Sequence, residues 1–519
     1  MSTLLQKITG SRPARRVADT FLNRFAQMRV REVDRLDPVE AQLRTLRQLV
    51  QRAQNTKFGR DHDFSTIRTV EDFQRAVPLR TYEEMWRDYW SVAYPRLAGV
   101  SWPEFVPYYA LSSGTTSGNT KYIPVTRQMV ASNKKAALTN LAFFLHENPG
   151  APIFRGRIFF LGGSTDLKTN DDGSLVGDLS GIAAREIASP LRPYTFPPPE
   201  IALMGNWDKK VQVLAEQSAN LPITVLSGIP SWVLTLFDYL KKVTGKEKII
   251  DIWPTLQLVI HGGALFDPYR RVFREVIGSD RVKFQDTYPS SEGYVAVEDP
   301  RHGMLRLLVD HGIFHEFVPM EELDAEKPTR HWLATIETGV QYAVALTSCA
   351  GLWGNVLGDT VRFESKDPPL LKFTGRTKYF LSAFGEHLIS EEIEKAVSLA
   401  AEATGALVVD FHVGPVFPEQ PTQPGKHRYL IEFTKEPDDL TNFTAKLDAA
   451  LQELNKDYFA YRVGSISVGM PEVWPVRHGG FADWMRSRGK FGGQNKVPRM
   501  DNSGAITRQL EKWMKSEKS

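Results

Sequence analysis

The sequence predicts an α/β protein with a large N-terminal α/β domain and a small C-terminal α+β domain. The first observation is that short apolar runs alternate with helical stretches in the middle of the chain, at residues 158–161, 209–219, 223–226, 231–243, 256–261 and 268–276. This order is typical of a sheet with helices on its faces. Residues 303–309, 331–338 and 342–347 then have the pattern of strands with few helices between them.

A second pattern of predicted helices and strands begins at about residue 389. It predicts a helix, two strands, a helix and a further strand, at residues 389–402, 406–413, 428–434, 440–455 and 462–469. With 519 residues, the chain is also longer than one hydrophobic core usually serves. We therefore expect two domains.

Near the N-terminus, the clearest helix signal is Asp37-Pro38-Val39-Glu40. Asp37 can cap the helix and proline suits the first helical position. Leu43, Leu46, Leu49, Val50 and Ala53 then mark one face of the predicted helix.

The composition is that of a globular protein, with 42% hydrophobic and 24% charged residues. The net charge of +3, from 64 basic and 61 acidic residues, gives no global field that would recruit nucleic acid or an acidic membrane. The N-terminal region is locally basic, and we interpret that imbalance as a solvated helix surface. We accordingly expect no nucleic-acid partner and no membrane partner.

The single cysteine, Cys349, excludes an internal disulfide and a thiolate-based zinc site. No run of residues reaches the roughly 18 apolar positions of a spanning helix, and the first residues lack the apolar core of a signal peptide. These features predict a cytoplasmic location.

The most informative segment is LSSGTTSGNTKYIP, residues 111–124. Glycines let backbone N–H groups turn toward an anion, hydroxyl groups add donors and a lysine adds a mobile positive charge, so the composition is that of a phosphate-binding loop. Gly114 and Gly118 are four residues apart and Lys121 follows three later, which does not fit the Walker A spacing. The alternative is an ordinary polar surface loop.

The same segment resembles the SSGTxxGxxK loop of the GH3 acyl acid amido synthetases, which are adenylate-forming enzymes. Further phrases follow in the family's order: LVIHGGA (258–264), YPSSE (288–292), Gly358-Asp359, FTGRTKYF (373–380) and GQNKVPR (493–499). The chain most resembles bacterial members of that family. The resemblance implies a large domain of adenylate-forming type over residues 1–375 and a small mobile domain over 376–519.

The resemblance also implies roles for individual residues. Lys121, Glu292 and Lys496 would be catalytic, with Glu292 holding Mg²⁺ against the phosphates of ATP and Lys496 neutralising the charge that builds up during adenylation. Lys378 would be the hinge. Nucleotide contacts would come from Ser112, Ser113, Gly114, Thr115, Thr116, Gly262, Gly263, Tyr288, Ser290, Ser291, Asp359 and Arg376.

Each of these roles has a simpler alternative. Glu292 can be an exposed acid in a turn, Gly262-Gly263 a strand-ending turn, and the segment around Lys496 a solvated face. For Asp359 the alternative is a turn residue, whereas the nucleotide-binding role would use the ability of a carboxylate to accept hydrogen bonds from both ribose hydroxyls at once, which a neutral side chain would do less well.

The implied activity is that of a ligase with ATP and Mg²⁺ as cofactors. A carboxylic acid would be activated as an acyl-adenylate and conjugated to the amine of an amino acid, with release of AMP and pyrophosphate. The alternatives are an acyl-CoA ligase that shares the adenylation step and a non-catalytic nucleotide-binding protein.

Overall fold

The computed structural model describes residues 11–113, 120–162, 167–204, 206–263, 266–377, 380, 381, 383, 384, 386, 388–418, 424–463, 468–489 and 497–516. The described residues form two compact units. The first unit comprises Met1–Gly263 and Asp280–Lys372, and the second comprises Ala264–Ser279 and Phe373–Ser519. The chain thus enters the second unit twice, first through a short segment that follows Gly263.

The helices of the first unit are α1 (Arg12–Arg35), α2 (Pro38–Ala53), α3 (Lys57–Asp61), α4 (Val70–Ala76), α5 (Tyr82–Met85), α6 (Arg127–Glu147), α7 (Leu179–Arg185), α8 (Pro199–Ala202), α9 (Trp207–Ser218), α10 (Pro230–Thr244) and α11 (Ile249–Ile252). Helix α2 begins as the sequence predicts, because the Asp37 side chain accepts hydrogen bonds from the N–H groups of Val39 and Glu40. None of the described helices is long and apolar enough to cross a membrane.

Two sheets organise the first unit. A small sheet has the strand order β2-β1-β5-β4, from β1 (Tyr108–Ser113), β2 (Thr120–Val125), β4 (Lys168–Thr169) and β5 (Leu175–Gly177). The large sheet has the order β12-β13-β14-β15-β11-β10-β9-β8-β7-β3-β6. Its strands are β3 (Arg157–Leu161), β6 (Thr195–Phe196), β7 (Ile223–Gly228), β8 (Leu258–Gly262), β9 (Lys283–Ser290), β10 (Gly293–Asp299), β11 (Met304–Leu307), β12 (Ile313–Pro319), β13 (Gln341–Ser348), β14 (Asn355–Lys366) and β15 (Pro369–Arg376).

The large sheet has a parallel half and an antiparallel half. The parallel half consists of five adjacent strands that run parallel to one another, as the alternation of apolar runs and helices predicts: β6, β3, β7, β8 and β9. From β9 to β10 the chain turns back in a hairpin, and the pairs that follow are antiparallel. The change of direction falls at the YPSSE motif.

The second unit contains helices α12 (Asp267–Ile277), α13 (Ser390–Thr404), α14 (Leu440–Leu454), α15 (Lys456–Val463), α16 (Gly480–Ser487) and α17 (Ala505–Ser516). Its strands are β16 (Phe380–Leu381), β17 (Leu388–Ile389), β18 (Leu407–Val416), β19 (Lys426–Lys435) and β20 (Glu472–Val476), of which β18, β19 and β20 form a sheet in that order. Ile393, Val397, Phe411, Ile431 and Leu447 belong to its buried core. The predicted fold class, a large α/β part followed by a small α+β part, is confirmed.

Two predicted strands are wrong. Within residues 331–338, only His331 pairs with a strand, through an isolated bridge to Phe317 of β12. The N–H of Thr335 then donates to the Trp332 carbonyl at 2.8 Å and closes a turn, and the next strand is β13. Arg462 and Val463, predicted to open a strand at 462–469, are the last residues of α15. The third strand of the small sheet comes later, as β20, where it pairs in parallel with β19.

Candidate active site

Four parallel strands of the first unit end at the same edge of the large sheet. Strands β3, β7, β8 and β9 are neighbours running in one direction, and they finish at Leu161, Gly228, Gly262 and Ser290. In open α/β sheets, ligands bind in the crevice outside the carboxyl ends of such strands. This edge is the candidate active site, because it carries both the glycine pair and the YPSSE motif.

The glycine pair is required by the backbone itself. A Cβ on Gly262 would lie 2.3 Å from the carbonyl oxygen of Thr287, its partner in β9, so no larger residue fits there. Gly263 has a φ of +75°, a conformation that favours glycine. A strand-ending turn by itself therefore explains why both positions are glycine. Their contact with a nucleotide stays a prediction.

The YPSSE motif forms the hairpin between β9 and β10. Ser290 and Gly293 are paired residues, and the Ser290 hydroxyl donates to the Gly293 carbonyl at 2.9 Å and accepts from its N–H at 3.2 Å. Ser291 and Glu292 are the two turn residues between them, and both are partly exposed. The hairpin thus places Glu292 in the turn that follows the carboxyl end of β9.

The structure joins the YPSSE motif to the Gly358-Asp359 motif. The Tyr288 hydroxyl donates a hydrogen bond of 2.9 Å to Oδ2 of Asp359, and both side chains are buried. Asp359 lies in β14, which is separated from β9 by three strands of the sheet. The two predicted nucleotide residues are therefore neighbours, and the tyrosine hydroxyl orients the aspartate.

Lys121 lies in β2, opposite Ser112 of β1. Its Nζ is 3.2 Å from a carboxylate oxygen of Glu83 and 5.1 Å from the centre of the Tyr82 ring. The Tyr82 hydroxyl in turn accepts a 2.8 Å hydrogen bond from the N–H of Tyr122. Glu83 and Tyr82 are therefore neighbours of a predicted catalytic residue, and neither of them is assigned to any chemistry from the sequence.

Helix α5 fixes the position of Glu83. Thr81 caps this helix, accepting from the N–H of Glu84, while the Glu84 carboxylate accepts from the N–H of Thr81. The signal that could have found Glu83 is the VPLRTYEE phrase at residues 77–84, whose threonine and second glutamate have the capping-box spacing.

Part of the predicted phosphate loop lies outside the described residues. Ser112 and the backbone of Ser113 belong to β1, and the chain is described again from Thr120, the first residue of β2. Gly114, Thr115 and Thr116 are not described. The flanking strands are paired with Ser113 opposite Thr120, so the segment 114–119 connects two adjacent antiparallel strands.

Of the predicted residues near the second domain, Arg376 is exposed at the end of β15 and belongs to the second unit. Lys378 and Lys496 lie outside the described residues. The motif that contains Lys496 is described from Val497 onward.

Arg499, the last residue of that motif, is the centre of a buried ionic cluster in the second unit. Its guanidinium group donates to the Tyr269 hydroxyl at 2.6 Å, and it lies 3.3 Å from a carboxylate oxygen of Glu394 and 3.1 Å from one of Asp410. Its carbonyl accepts from the N–H of Val413 in β18 at 2.9 Å. These contacts tie the described end of the motif to α12, α13 and β18.

Burial perturbs both acids of this cluster. It raises the pKa of Glu394 to about 7, although the charge of Arg499 acts in the opposite direction. Burial also raises the pKa of Asp410, and Arg499 again opposes the shift. The sequence also allowed this C-terminal segment to be a solvated surface. For Arg499 that alternative is wrong, because its partners enclose the side chain.

Comparisons with known proteins identify the family. Three models of one family match the chain: the GH3 family N-terminal domain at residues 29–199, the central domain at 306–376 and the C-terminal domain at 391–505. Together they cover about two thirds of the chain. The chain belongs to the GH3 family.

Curated relatives agree with this assignment. The indole-3-acetic acid-amido synthetase GH3.4 of Arabidopsis thaliana is 23% identical over 93% of this chain and 92% of its own length. The jasmonoyl–L-amino acid synthetase JAR4 of Nicotiana attenuata is 22% identical over 73% of this chain and 75% of its own. The predicted enzyme class, a ligase of the acyl acid amido synthetase type, is confirmed by these GH3 homologues.

Solved structures share the fold. The GH3.15 acyl acid amido synthetase superimposes with a TM-score of 0.76 at 16% identity, covering 94% of this chain and 95% of its own. A 2-hydroxyisobutyryl-CoA ligase in the postadenylation state superimposes with a TM-score of 0.62 at 14% identity, covering 92% of each chain. The adenylate-forming architecture predicted for this GH3 protein is thus confirmed.

Lys210 is a further polar residue that sequence reasoning missed. It is buried in α9, and its ammonium group donates to the carbonyls of Ala202 at 2.6 Å and of Gly162 at 3.2 Å. Burial lowers its pKa to about 8, while Asp178 acts in the opposite direction. Gly162 directly follows β3, so this lysine supports the same edge of the sheet. Nothing in its sequence context distinguishes it from a surface lysine.

Proposed function

We propose that this GH3 protein activates a carboxylic acid with Mg-ATP as an acyl-adenylate and transfers the acyl group to the amine of an amino acid, releasing pyrophosphate and AMP. The observation that carries the proposal is the hydrogen bond from Tyr288 to Asp359 at the carboxyl edge of the parallel strands. This bond holds a carboxylate in a fixed orientation beside the strand ends where α/β folds bind ligands.

In this proposal Asp359 accepts hydrogen bonds from the ribose hydroxyls, and the Tyr288 ring contacts the base. Gly262 and Gly263 let the backbone approach the nucleotide, while Ser112, Ser113, Gly114, Thr115, Thr116, Ser290 and Ser291 bind its phosphates. Lys121 neutralises the negative charge that develops at the α-phosphate during adenylyl transfer, after its ammonium group has separated from the Glu83 carboxylate. Arg376 reaches the ribose or the phosphates.

The residues present suit magnesium. The described residues contain no group of three or more His, Cys, Asp or Glu side chains that would cage a metal ion. Mg²⁺ is commonly bound by one or two carboxylates together with substrate phosphates and water, which matches the single carboxylate of Glu292 at the hairpin turn. When bound there, the ion would offset negative charge on the phosphates.

Catalysis then consists of positioning and charge neutralisation, without a protein nucleophile. The acid attacks the α-phosphorus of ATP and pyrophosphate leaves; the amine then attacks the activated carbonyl and AMP leaves. We propose that Lys378 is the hinge between a large domain, 1–375, and a small domain, 376–519, and that the small domain delivers Lys496 for the first step.

The second candidate is an acyl-CoA ligase, which differs only in the acceptor. It is favoured by the fold shared with the 2-hydroxyisobutyryl-CoA ligase. The curated relatives, which are named as an amido synthetase and an amino acid synthetase, favour an amine acceptor.

A substrate panel tests the proposal. The protein is incubated with Mg-ATP and a series of carboxylic acids, alone, with amino acids, and with coenzyme A, while pyrophosphate, amide and thioester are measured. We expect amide only when an acid and an amino acid are both present. Thioester without amide would favour the second candidate. If calorimetry also detects no binding of Mg-ATP or AMP at millimolar nucleotide, the adenylation proposal is wrong.

The role of Lys496 is tested by separating the two half-reactions. We expect Lys496→Ala to cripple pyrophosphate release and to leave amide formation from supplied acyl-AMP much less affected, because the charge it neutralises develops only during adenylation. Equal losses in both half-reactions would contradict a step-specific role. No loss in either would make Lys496 a surface residue.

A bacterial origin and a cytoplasmic location belong to the same proposal. The matched relatives named above are plant proteins, so the origin rests on the resemblance of the motifs alone. The location rests on the single, buried cysteine, Cys349.

A further inference from the structure

The exposed face of helix α1 carries a row of large apolar side chains. Val17, Phe21, Phe25 and Met28 are 55%, 68%, 39% and 62% exposed. Their spacing of four, four and three residues places them on one side of the helix, over about 16 Å of its length. We call these four residues the apolar stripe. The GH3 N-terminal domain match begins at residue 29, so the stripe precedes it.

The helix cannot hide the stripe by rotating, because its other side is fixed to the first unit. Leu22, Ala26 and Val30 are buried in a hydrophobic cluster with α6. Arg29 forms a bidentate ion pair with Asp310, at 2.7 and 2.8 Å. A helix anchored in this way presents its apolar residues in a fixed arrangement.

Basic residues accompany the stripe. Arg16, Arg24, Arg31 and Arg35 are all exposed, and the last three fall on the same side of the helix as the apolar residues. The exposed acids of this helix already have partners: Glu32 is 3.0 Å from Arg29, and Asp34 is 2.7 Å from Arg301. The exposed face is therefore apolar and positive.

We propose that this face of α1 binds the surface of an anionic lipid bilayer. The apolar stripe would enter the headgroup region, and the arginines would contact lipid phosphates. A second copy of the chain is a poorer occupant, because pairing two such faces would bring two positively charged surfaces together, and like charges repel. The proposal departs from two expectations of the sequence analysis, that the basic N-terminal region is only a solvated surface and that the protein has no membrane partner. It does not depend on the proposed reaction.

Vesicle co-sedimentation of the full chain tests this proposal. The protein is mixed with phosphatidylcholine vesicles that contain phosphatidylglycerol, and with vesicles of phosphatidylcholine alone. We expect binding to the anionic vesicles, weakened by added salt, and little binding to the neutral ones. The double variant Arg24→Gln/Arg31→Gln should reduce the partition coefficient by roughly tenfold or more, since each basic residue near the surface contributes about fivefold.

The apolar contribution is tested with Phe21→Ser/Met28→Ser, for which Phe459→Ser is the matched control. Phe459 is 49% exposed on α15 of the second unit, so its replacement removes a similar exposed side chain away from α1. We expect the stripe variant to lose most vesicle binding and the control to keep it. Each alternative outcome would overturn the proposal: equal binding to neutral vesicles, equal losses in both variants, or a concentration-dependent dimer that the stripe variant abolishes without lipid.

Discussion

Lys121 in the first unit and Arg499 in the second are both basic residues of the family motifs, but their charges are balanced in different ways. Lys121 faces one carboxylate, Glu83, which is about half exposed. Arg499 is enclosed by two carboxylates, a tyrosine hydroxyl and the ring of Phe411.

The difference follows from desolvation. Because Glu83 is about half exposed, while Lys121 is partly buried, their ion pair is worth about 1 kcal/mol, and a phosphate can displace Glu83 from Lys121 at little cost. A buried pair cannot be opened without leaving a charge unpaired in a medium of low polarity. Lys121 is therefore suited to meet a ligand, whereas Arg499 is suited to hold the chain that carries Lys496.

The largest effect is expected from breaking the buried cluster. Arg499→Ala leaves Glu394 and Asp410 without their counter-ion, and removal of one partner from a buried pair typically costs about 3–5 kcal/mol of unfolding free energy. Denaturant unfolding of the full chain measures the loss. Arg488→Ala is the matched control, because Arg488 is exposed and stacks on Trp484 in the same unit. A loss no larger than that of the control would contradict the structural role of the cluster.

The next largest effect is expected in the dependence of the protein's stability on pH. Because the folded-state pKa of Glu394 is raised to about 7 from 4.5, its contribution to stability is fully present below pH 4.5 and is lost as the pH rises through 7. The facing groups are Arg499, Asp410 and Asp267.

We expect Glu394→Gln to remove this pH dependence. Between pH 4.5 and pH 8 the unmodified protein should lose on the order of 3 kcal/mol more than the variant, which isolates Glu394 because the raised pKa of Asp410 acts in both proteins. Thermal unfolding across this range measures it. Glu402→Gln, an exposed position further along α13, should leave the profile unchanged. An identical profile for the Glu394 variant would show that this group does not titrate in the window.

The third prediction concerns Asp359 in the first unit. Asp359→Ala should weaken nucleotide binding by about 1.5–3 kcal/mol, the usual worth of hydrogen bonds to a charged group, without unfolding the chain. Tyr288→Phe keeps the carboxylate and removes only its orienting bond, so we expect a smaller loss of roughly 1 kcal/mol. Calorimetry with AMP measures both. Unchanged affinity in a folded Asp359 variant would mean that this aspartate is only part of the strand.

The sequence predicted the parallel strands well and the contacts between motifs poorly. Apolar runs such as 223–226 identify buried strands locally. The bond between Tyr288 and Asp359 depends instead on strand order, since three strands lie between β9 and β14. Nothing local to either motif encodes that order.

Arg499 illustrates a second reason. A segment rich in lysine and arginine suggests solvent exposure, and only the fold brings Glu394, Asp410 and Tyr269 around this guanidinium group. The wrong strand at 331–338 has a local cause: the side chain of Thr335 accepts from the N–H of Trp332 at 3.2 Å and closes a turn.

The smallest effect is expected at the ion pair between Lys121 and the half-exposed Glu83 in the first unit. Glu83→Gln removes the carboxylate that lies 3.2 Å from the Lys121 ammonium, and stability should change by less than about 1 kcal/mol. If Lys121 binds phosphate, ATP no longer has to displace a carboxylate, and we expect its affinity to rise by roughly twofold to fivefold.

The control for this variant is Asp61→Asn, which breaks another exposed pair, that of Lys57 and Asp61 at 2.7 Å, and should leave ATP affinity unchanged. Calorimetry of both variants with Mg-ATP separates two roles for Glu83. Tighter binding in Glu83→Gln means that the carboxylate competes with the phosphates for Lys121. Weaker binding would mean that Glu83 positions the lysine, and the contrast between a displaceable pair and a fixed cluster would then be wrong for the first unit.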